Sequence, residues 1–329
     1  MKSVQELGER KIIDMILNRL DPMPNMQIPF GDDVSAIDIG KGKLAVIKTD
    51  MLVGKTDMPP NMSLWQAARK AAVMNISDLA AKGVKTTALL TAIGIPRDFN
   101  QKDIEQIAEG LNAGAREYGA YVLGGDTCET LDLIISCAAF GIGEKNRLML
   151  RSGAKTGDIA AVTGFFGETS SGLRILVQGL SAPPKLEKTL VDSVLSPKAR
   201  LKEGLSLART GAVSASIDSS DGLAWSLHEI SKASHVGFLI DNLPTAEESR
   251  QFAKMHNLNS VELCLYGGEE YELVVTVKPA MWEKATKNVP LIRIGRVTKR
   301  QNLVLKMGKK KLPIEARGWE HFKTSLTKP

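Results

Sequence analysis

The chain has 329 residues and a formal net charge of +6 at pH 7. At roughly 100–200 residues per domain, this length predicts two domains. Apolar residues make up 43% of the chain and charged residues 24%, which is typical of a soluble globular protein. Three cysteines without metal-ligand spacing argue against a disulfide framework or a zinc site and fit a reducing cytoplasm. Residues 1–20 are charged, unlike a signal peptide, and no apolar run reaches the roughly 18 residues of a membrane span.

In the first half of the chain, predicted helices and strands alternate. Residues 4–20 have helical spacing of apolar positions, and Ser63 caps an Ala-rich helix that reaches Lys82. Strands are predicted at 34–39, 44–49, 86–95 and 132–142, with a hairpin at residues 40–42 and a further helix at 101–118. This mixture predicts an α+β fold whose N-terminal half is of the α/β sandwich type.

A break near residue 145 separates this half from a second one. A new strand is predicted at 159–163, after a Gly-containing loop, so we place the domains at 1–145 and 146–329. The second half is predicted to contain a Gly-rich turn at 164–172 leading into a helix, helices at 197–209 and 223–233, and strands at 215–217, 273–277 and 291–297. These elements predict a C-terminal α/β domain.

Positive charge is concentrated between residues 278 and 311, which contain eleven Lys or Arg residues and one acid. Such a segment could bind nucleic acid. From residue 291 to residue 297, however, basic residues alternate with apolar ones and no aromatic residue is interleaved for base stacking. We favour a strand with one solvated face, expect no nucleic-acid or membrane partner, and keep a non-catalytic nucleic-acid-binding protein as the alternative.

Five short segments carry clustered acids, namely residues 31–33, 48–50, 75–78, 124–127 and 218–222. Residues 75–78 fall in the predicted Ala-rich helix and residues 48–50 at the end of the predicted strand 44–49, and the other three segments are predicted loops. Carboxylates repel one another, so gathering these acids at one place would require several divalent cations. Magnesium usually joins a few carboxylates to substrate phosphates, and the chain has no Walker-type phosphate loop. The acids therefore indicate magnesium-dependent phosphate chemistry.

Each acidic segment also has a plainer structural explanation. Asp78 and Lys82 share one stripe of the Ala-rich helix, so Asp78 could be a surface residue paired with Lys82 at i,i+4. Asp32 and Asp33 could form an ordinary turn. Asp221 could cap the helix that follows it.

The order of these motifs resembles that of the thiamine-monophosphate kinase family, in the superfamily that includes aminoimidazole ribonucleotide synthetase. The matching stretches are residues 31–33, 49–53, 75–83, 124–127, 151–155, 218–223 and 267–273. The resemblance implies phosphorylation of thiamine monophosphate by ATP, with direct in-line transfer that gives thiamine diphosphate. It also implies a homodimer in which the N-terminal halves form a barrel.

The same resemblance implies the roles of individual residues. The implied magnesium ligands are Asp33, Thr49, Asp50, Asp78, Asp126, Asp218 and Asp221, of which Asp33, Asp50, Asp78, Asp126 and Asp218 would be catalytic. Gly125, Asp126, Arg151 and Ser220 would contact ATP, while Glu269 and Trp319 would contact the thiamine moiety. Family members often have a substrate-contacting His at the position of Asp57, so that role is not transferred.

Three sister families can be compared by their residues. Selenophosphate synthetase has a reactive Cys or selenocysteine near its N-terminus, whereas the first cysteine here is Cys128. The hydrogenase maturation factor ends in Cys, and this chain ends in Pro329. Aminoimidazole ribonucleotide synthetase is the alternative enzyme, disfavoured by residues 267–273 and Trp319.

Overall fold

Two β-sheets organise the chain in the computed structural model, which describes residues 2–322. The described helices are α1 (Val4–Leu7), α2 (Glu9–Leu17), α3 (Gly54–Asp57), α4 (Leu64–Ala81), α5 (Gln101–Glu117), α6 (Glu168–Gln178), α7 (Pro184–Leu195), α8 (Leu201–Thr210), α9 (Leu223–Ser234), α10 (Glu247–Met255), α11 (Ser260–Tyr266) and α12 (Trp282–Asn288). The described strands are β1 (Ser35–Asp38), β2 (Lys43–Val53), β3 (Thr86–Ile95), β4 (Tyr121–Glu129), β5 (Ile134–Glu144), β6 (Ile159–Val162), β7 (Val213–Asp218), β8 (Gly237–Ile240), β9 (Leu273–Val277), β10 (Ile292–Thr298), β11 (Leu303–Met307) and β12 (Lys310–Pro313).

The first sheet has the strand order β1-β2-β5-β3-β4 and lies entirely within residues 35–144. Strands β2 and β5 pair antiparallel along eleven residues each, and β4 is a parallel edge strand beside β3. Helix α4 packs on β2 and β5, and α5 packs on α4 and β4. The opposite face is open and apolar, with Ile47, Leu90 and Leu123 exposed.

The second sheet has the order β12-β11-β8-β10-β6-β9-β7, and its strands lie within residues 159–313. The pair β8–β11 is parallel and the other pairs are antiparallel. Strand β10 confirms the alternation predicted for the basic segment, since Arg293 and Arg296 are exposed while Ile294 and Val297 are buried. The two-sheet α+β architecture is as predicted; the domain boundary at residue 145 stays a prediction.

Helix α4 lies between the two sheets. It contacts β2 and β5 of the first sheet as well as α8 and β7 of the second half. The close approach to α8 requires glycine at Gly204, where a Cβ would lie 2.0 Å from the carbonyl oxygen of Ala80. Because α4 is covered on several sides, even its polar residues Lys70, Asn75 and Asp78 are buried.

Several local predictions were wrong. The predicted helix 4–20 is broken at Gly8, which has φ 75°, and α2 ends at Leu17. Helix α7 was not predicted, although Pro184 occupies its first turn, where proline is tolerated. The predicted turn 164–172 is already helical from Glu168.

Three of the five acidic segments lie in regular structure. Residues 75–78 lie in α4, as predicted, and residues 48–50 lie in β2, which continues past its predicted end to Val53. The loop predicted at 124–127 was wrong, because these residues belong to β4, where tertiary pairing overrides the turn preference of Gly and Asp. In β4 a Cβ at Gly125 would lie 1.7 Å from the carbonyl oxygen of Thr91, so glycine permits the close approach of β3. Within residues 2–322, no helix is long and apolar enough to cross a membrane.

Candidate active site

Three buried carboxylates meet where the two halves of the chain pack together. They belong to Asp33 in the loop before β1, Asp78 in α4 and Asp218 at the end of β7, and one oxygen from each lies within 4.8 Å of the others. These residues are only 3–5% exposed. Burial of like charges this close is costly unless cations compensate.

Helix α4 holds this cluster through polar contacts made by residues of a single turn. The Asn75 Oδ1 atom accepts a hydrogen bond of 2.9 Å from the backbone N–H of Asp50. Ser77 Oγ donates to Asp218 Oδ2 at 2.7 Å. Asp78 Oδ2 lies 3.1 Å from the ammonium group of Lys48. One helix therefore fixes acids contributed by β2 and β7 as well as its own.

Lys82 is the cation at the base of the cluster. Its side chain is 0% exposed, and Nζ lies 2.7 Å from Asp32 Oδ1, 2.6 Å from Asp33 Oδ2 and 2.8 Å from the carbonyl oxygen of Ser216. The surface pair of Asp78 with Lys82 is thus wrong, because both residues are buried and have other partners.

Arg151 anchors the loop that precedes β1. Its Nε donates to Asp33 Oδ1 at 2.7 Å, its Nη1 to the carbonyl oxygen of Gly31 at 2.9 Å, and its backbone N–H to Asp32 Oδ2 at 2.9 Å. Residues 31–33 are therefore a loop, as predicted, but not merely an ordinary turn, since both aspartates bind cations of other elements.

The pKa values of the three acids are shifted in different directions, because burial raises each of them and neighbouring charges oppose or add to the rise. Burial and the charge of Asp33 raise the pKa of Asp218 to about 7. Burial also raises the pKa of Asp78 well above its usual value, with Lys48 opposing the rise. For Asp33 burial acts in the same upward direction, but Arg151 and Lys82 outweigh it and lower the pKa. The neighbouring cations therefore favour the ionised form of Asp33, whereas for Asp78 and Asp218 they offset the effect of burial only in part.

The charges of this cluster leave room for a divalent cation. Five carboxylates, those of Asp32, Asp33, Asp50, Asp78 and Asp218, face the three cations Lys48, Lys82 and Arg151, so two negative charges remain uncompensated. Hard carboxylate oxygens are the ligands that Mg²⁺ prefers. The Ser219 hydroxyl, next to Asp218, is buried without a hydrogen-bond partner in the described residues. The donor set therefore fits magnesium.

Three other predicted residues lie on the first sheet but outside the buried cluster. Thr49 is exposed, and its hydroxyl donates to the carbonyl oxygen of Cys137 at 3.0 Å. Gly125 and Asp126 are exposed on the edge strand β4. Asp50 is closer to the cluster, 3.4 Å from Lys48.

Asp221 and Ser220 belong to the loop between β7 and α9. Asp221 Oδ2 is 3.1 Å from Arg10 Nη2, and burial raises its pKa to about 6 although Arg10 opposes the rise. Asp221 does not cap α9, because Gly222 is the N-cap and no side chain caps that helix. The carbonyl oxygen of Ser220 accepts a hydrogen bond of 2.6 Å from the backbone N–H of Glu269.

Glu269 and Trp319 line one small cavity. Its volume is about 30 Å³, and its walls are formed by Thr56, Asp57, Pro59, Leu173, Gly268, Glu269 and Trp319. The Asp57 carboxylate accepts a hydrogen bond of 2.7 Å from the backbone N–H of Val53, so it is engaged by β2. The two residues predicted to contact substrate are thus brought together.

Sequence reasoning predicted Arg151 but missed the two lysines of the site, Lys48 and Lys82. Lys48 stands two residues before Asp50 on the same strand, so the period-2 alternation of β2 was a signal that both face the cluster. Ser77 and Lys70 gave no such signal, because their partners come from β7 and from residue 269.

The N-terminal part of this fold contains a domain of the AIR synthase related class. Residues 31–143 match the family described as AIR synthase related protein, N-terminal domain. The chain is 36% identical over 293 residues to a thiamine-monophosphate kinase of Nitrosopumilus maritimus, covering 87% of this chain and 92% of that one. It is 34% identical over 320 residues to one of Pyrococcus horikoshii, covering 97% of both.

Solved structures agree with these relatives. The structure described as AaThiL complexed with AMPPCP and TMP superposes with a TM-score of 0.86 at 26% identity, over 98% of this chain and 99% of that one. The chain belongs to the thiamine-monophosphate kinase family.

Proposed function

We propose that the protein transfers the terminal phosphoryl group of ATP directly to thiamine monophosphate, giving thiamine diphosphate and ADP. The observation that carries the proposal is the buried cluster of Asp33, Asp78 and Asp218 with its uncompensated negative charge. Two anionic phosphates must meet for this reaction, and catalysis depends on positioning and charge neutralisation. Family membership and the relative in complex with AMPPCP, an ATP analogue, and TMP support the same reaction.

Magnesium is the metal that these acids would hold. Asp33, Asp78 and Asp218 would form the central ligand set, and Thr49, Asp50, Asp126 and Asp221 would complete the sites around the phosphates. When bound, magnesium supplies charge neutralisation and fixes the phosphate oxygens. The contacts of Lys48 and Ser77 keep the carboxylates oriented toward that position.

ATP binding is assigned to Gly125, Asp126, Arg151 and Ser220. The side chain of Arg151 is 21% exposed, and a phosphate would share its guanidinium with Asp33, the Gly31 carbonyl and Glu229. Planar guanidinium groups match the geometry of phosphate oxygens. Glu269 and Trp319 are assigned to the thiamine moiety, in the cavity that they share.

The working unit is proposed to be a homodimer formed through the open face of the first sheet. This face contains a hollow of about 680 Å³ whose lining includes Asp33, Ile47, Leu123 and Phe140. Contiguous exposed apolar surface of this kind is typical of protein interfaces. Residues 1–145 would then bind metal and dimerise, and residues 146–329 would close the active site. A cytoplasmic location fits the free, exposed thiol of Cys128.

The test is incubation of the pure protein with ATP, magnesium and thiamine monophosphate, with both products followed by chromatography. Equal amounts of thiamine diphosphate and ADP, absent without acceptor, would support the proposal. ADP without thiamine diphosphate, or no turnover, would contradict it and direct the search to aminoimidazole ribonucleotide chemistry.

A further inference from the structure

Helix α4 carries a second buried lysine, remote from the acidic cluster. The side chain of Lys70 is only 1% exposed. Its Nζ atom forms an ion pair with Glu269 Oε1 and donates a hydrogen bond of 3.1 Å to the carbonyl oxygen of Asp57. Lysine is almost never buried so fully unless it is paired. Both partners of Lys70 line the small cavity that also contains Trp319.

Glu269 is held at this cavity from two sides. Its backbone has φ 65°, a left-handed conformation that non-glycine residues rarely adopt and that persists only where the surroundings enforce it. The hydrogen bond from its N–H to Ser220 fixes the backbone, and the ion pair with Lys70 fixes the side chain. Lys70 engages Oε1, which leaves Oε2 for a donor or a positive charge in the cavity.

Helix α4 also sets the distance between the Glu269 carboxylate and the acidic cluster. Lys70 precedes Asp78 by eight residues, which corresponds to about 12 Å along an α-helix. Because α4 is packed between both sheets, this separation is rigid. A substrate with a phosphate at one end and a cationic or amine-bearing ring at the other matches these two fixed points.

We infer that Lys70 is a positioning residue for the acceptor substrate. Its ion pair with Glu269 orients the free oxygen of that carboxylate toward the ring system of the substrate. The inference rests on the proposed function, since it takes thiamine monophosphate as the acceptor. Lys70, which does not line the cavity, thereby controls the affinity for the acceptor.

The test compares Lys70→Met and Lys70→Arg with the wild type and with Lys102→Met, an exposed lysine on α5 as control. Loss of the ion pair between Lys70 and Glu269 should raise KM for thiamine monophosphate by about tenfold or more, because hydrogen bonds to charged groups contribute more free energy than those between neutral groups. KM for ATP and kcat should stay within about threefold. Lys70→Arg, which keeps the charge, should restore most of the affinity.

A double-mutant cycle separates this role from a purely structural one. Glu269→Gln should also raise KM for thiamine monophosphate. The KM of the double variant should not exceed the higher of the two single-variant values, because each substitution removes the same interaction. Multiplying effects, or a Lys70→Arg protein as poor as Lys70→Met, would overturn the inference. Calorimetric binding of thiamine monophosphate without ATP gives the same comparison independently of turnover.

The outcomes distinguish the inference from the proposed function. A wild type that forms no thiamine diphosphate contradicts the proposed function itself. An active wild type with an unchanged KM in Lys70→Met overturns only the role of Lys70. If Lys70→Met does not fold, Lys70→Gln, whose amide can still donate to the Asp57 carbonyl, takes its place with the same expected KM.

Discussion

Replacing Lys82 by Met removes a fully buried ammonium group and keeps a side chain of similar length. The ammonium contacts two carboxylates and one carbonyl oxygen at 2.6–2.8 Å. Removing one partner of a buried ion pair costs about 3–5 kcal/mol, because the other charge is left uncompensated. With two carboxylates affected, we expect the free energy of unfolding to fall by about 4 kcal/mol.

The loss of stability caused by Lys82→Met should depend on pH in a defined direction. Lys82 helps to lower the pKa of Asp33, so this pair stabilises the fold above the unfolded pKa of the carboxyl group. That stability is lost as pH falls through the folded pKa. The difference in the free energy of unfolding between wild type and variant should therefore be largest at neutral pH and should decrease in acid.

Thermal unfolding at neutral pH, followed by circular dichroism, measures this loss. A fall of about 4 kcal/mol corresponds to a Tm lower by roughly 8–16 °C for a unit of this size. Lys85→Met is the matched control, since Lys85 is exposed three residues away and its replacement should cost at most about 0.5 kcal/mol. A Lys82→Met protein that melts within about 2 °C of the wild type would refute the reasoning.

Four further predictions follow from the site, its surroundings and the open sheet face. Asp78→Asn should lower turnover at least about 100-fold and leave Tm unchanged or higher, because burial and like charges disfavour this carboxylate. Magnesium should raise the Tm of the wild type more than that of Asp78→Asn, measured with and without a chelator. Burial raises the pKa of Glu270 to about 8, so the native state retains a proton that the unfolded state loses, and wild-type stability should fall as pH rises from about 5 to about 8. Burial also raises the pKa values of Asp218 and Asp221, which gives both proteins a fall of the same sign. The fall should therefore be smaller in Glu270→Gln, and urea unfolding of both proteins at both ends of the range would measure the difference. Leu123→Glu should dissociate the proposed homodimer in sedimentation experiments, whereas Leu131→Glu, at an exposed leucine between β4 and β5, should not.

Each of these predictions has a contrary result. Near-normal turnover of Asp78→Asn would remove Asp78 from the metal site, and an equal Tm response to magnesium would separate metal binding from this carboxylate. A constant stability difference between wild type and Glu270→Gln across the pH range would show that Glu270 does not titrate as inferred. A dimer that survives Leu123→Glu would exclude the open sheet face as the interface.

The local signals that the sequence contains were sufficient for several elements. Strand β3 was predicted with the bounds Thr86–Ile95 that the structure has, because its apolar run is bounded by a glycine stop and a proline. Helix α4 was predicted from the Ser63 cap, which forms a capping box with Gln66. Gly8, by contrast, breaks a helix whose apolar spacing continues across it.

The acids of the site were predicted because their residue types and order carry the signal. Their partners were not, since the contacts of Lys82 with Asp32 and of Ser77 with Asp218 depend on how the two sheets pack around α4. The ion pair of Lys70 with Glu269 likewise joins residues from different halves of the chain. Pairings of this kind are set by tertiary packing and leave no periodic trace in a single sequence.

Direct phosphoryl transfer to thiamine monophosphate is tested best by a rapid-quench single turnover with ATP carrying a radioactive γ-phosphate. The acidic cluster predicts that label leaves ATP and enters thiamine diphosphate at the same rate, with none on the protein at any time. Labelled protein that later passes its phosphate on, or label released only as inorganic phosphate, would contradict direct transfer.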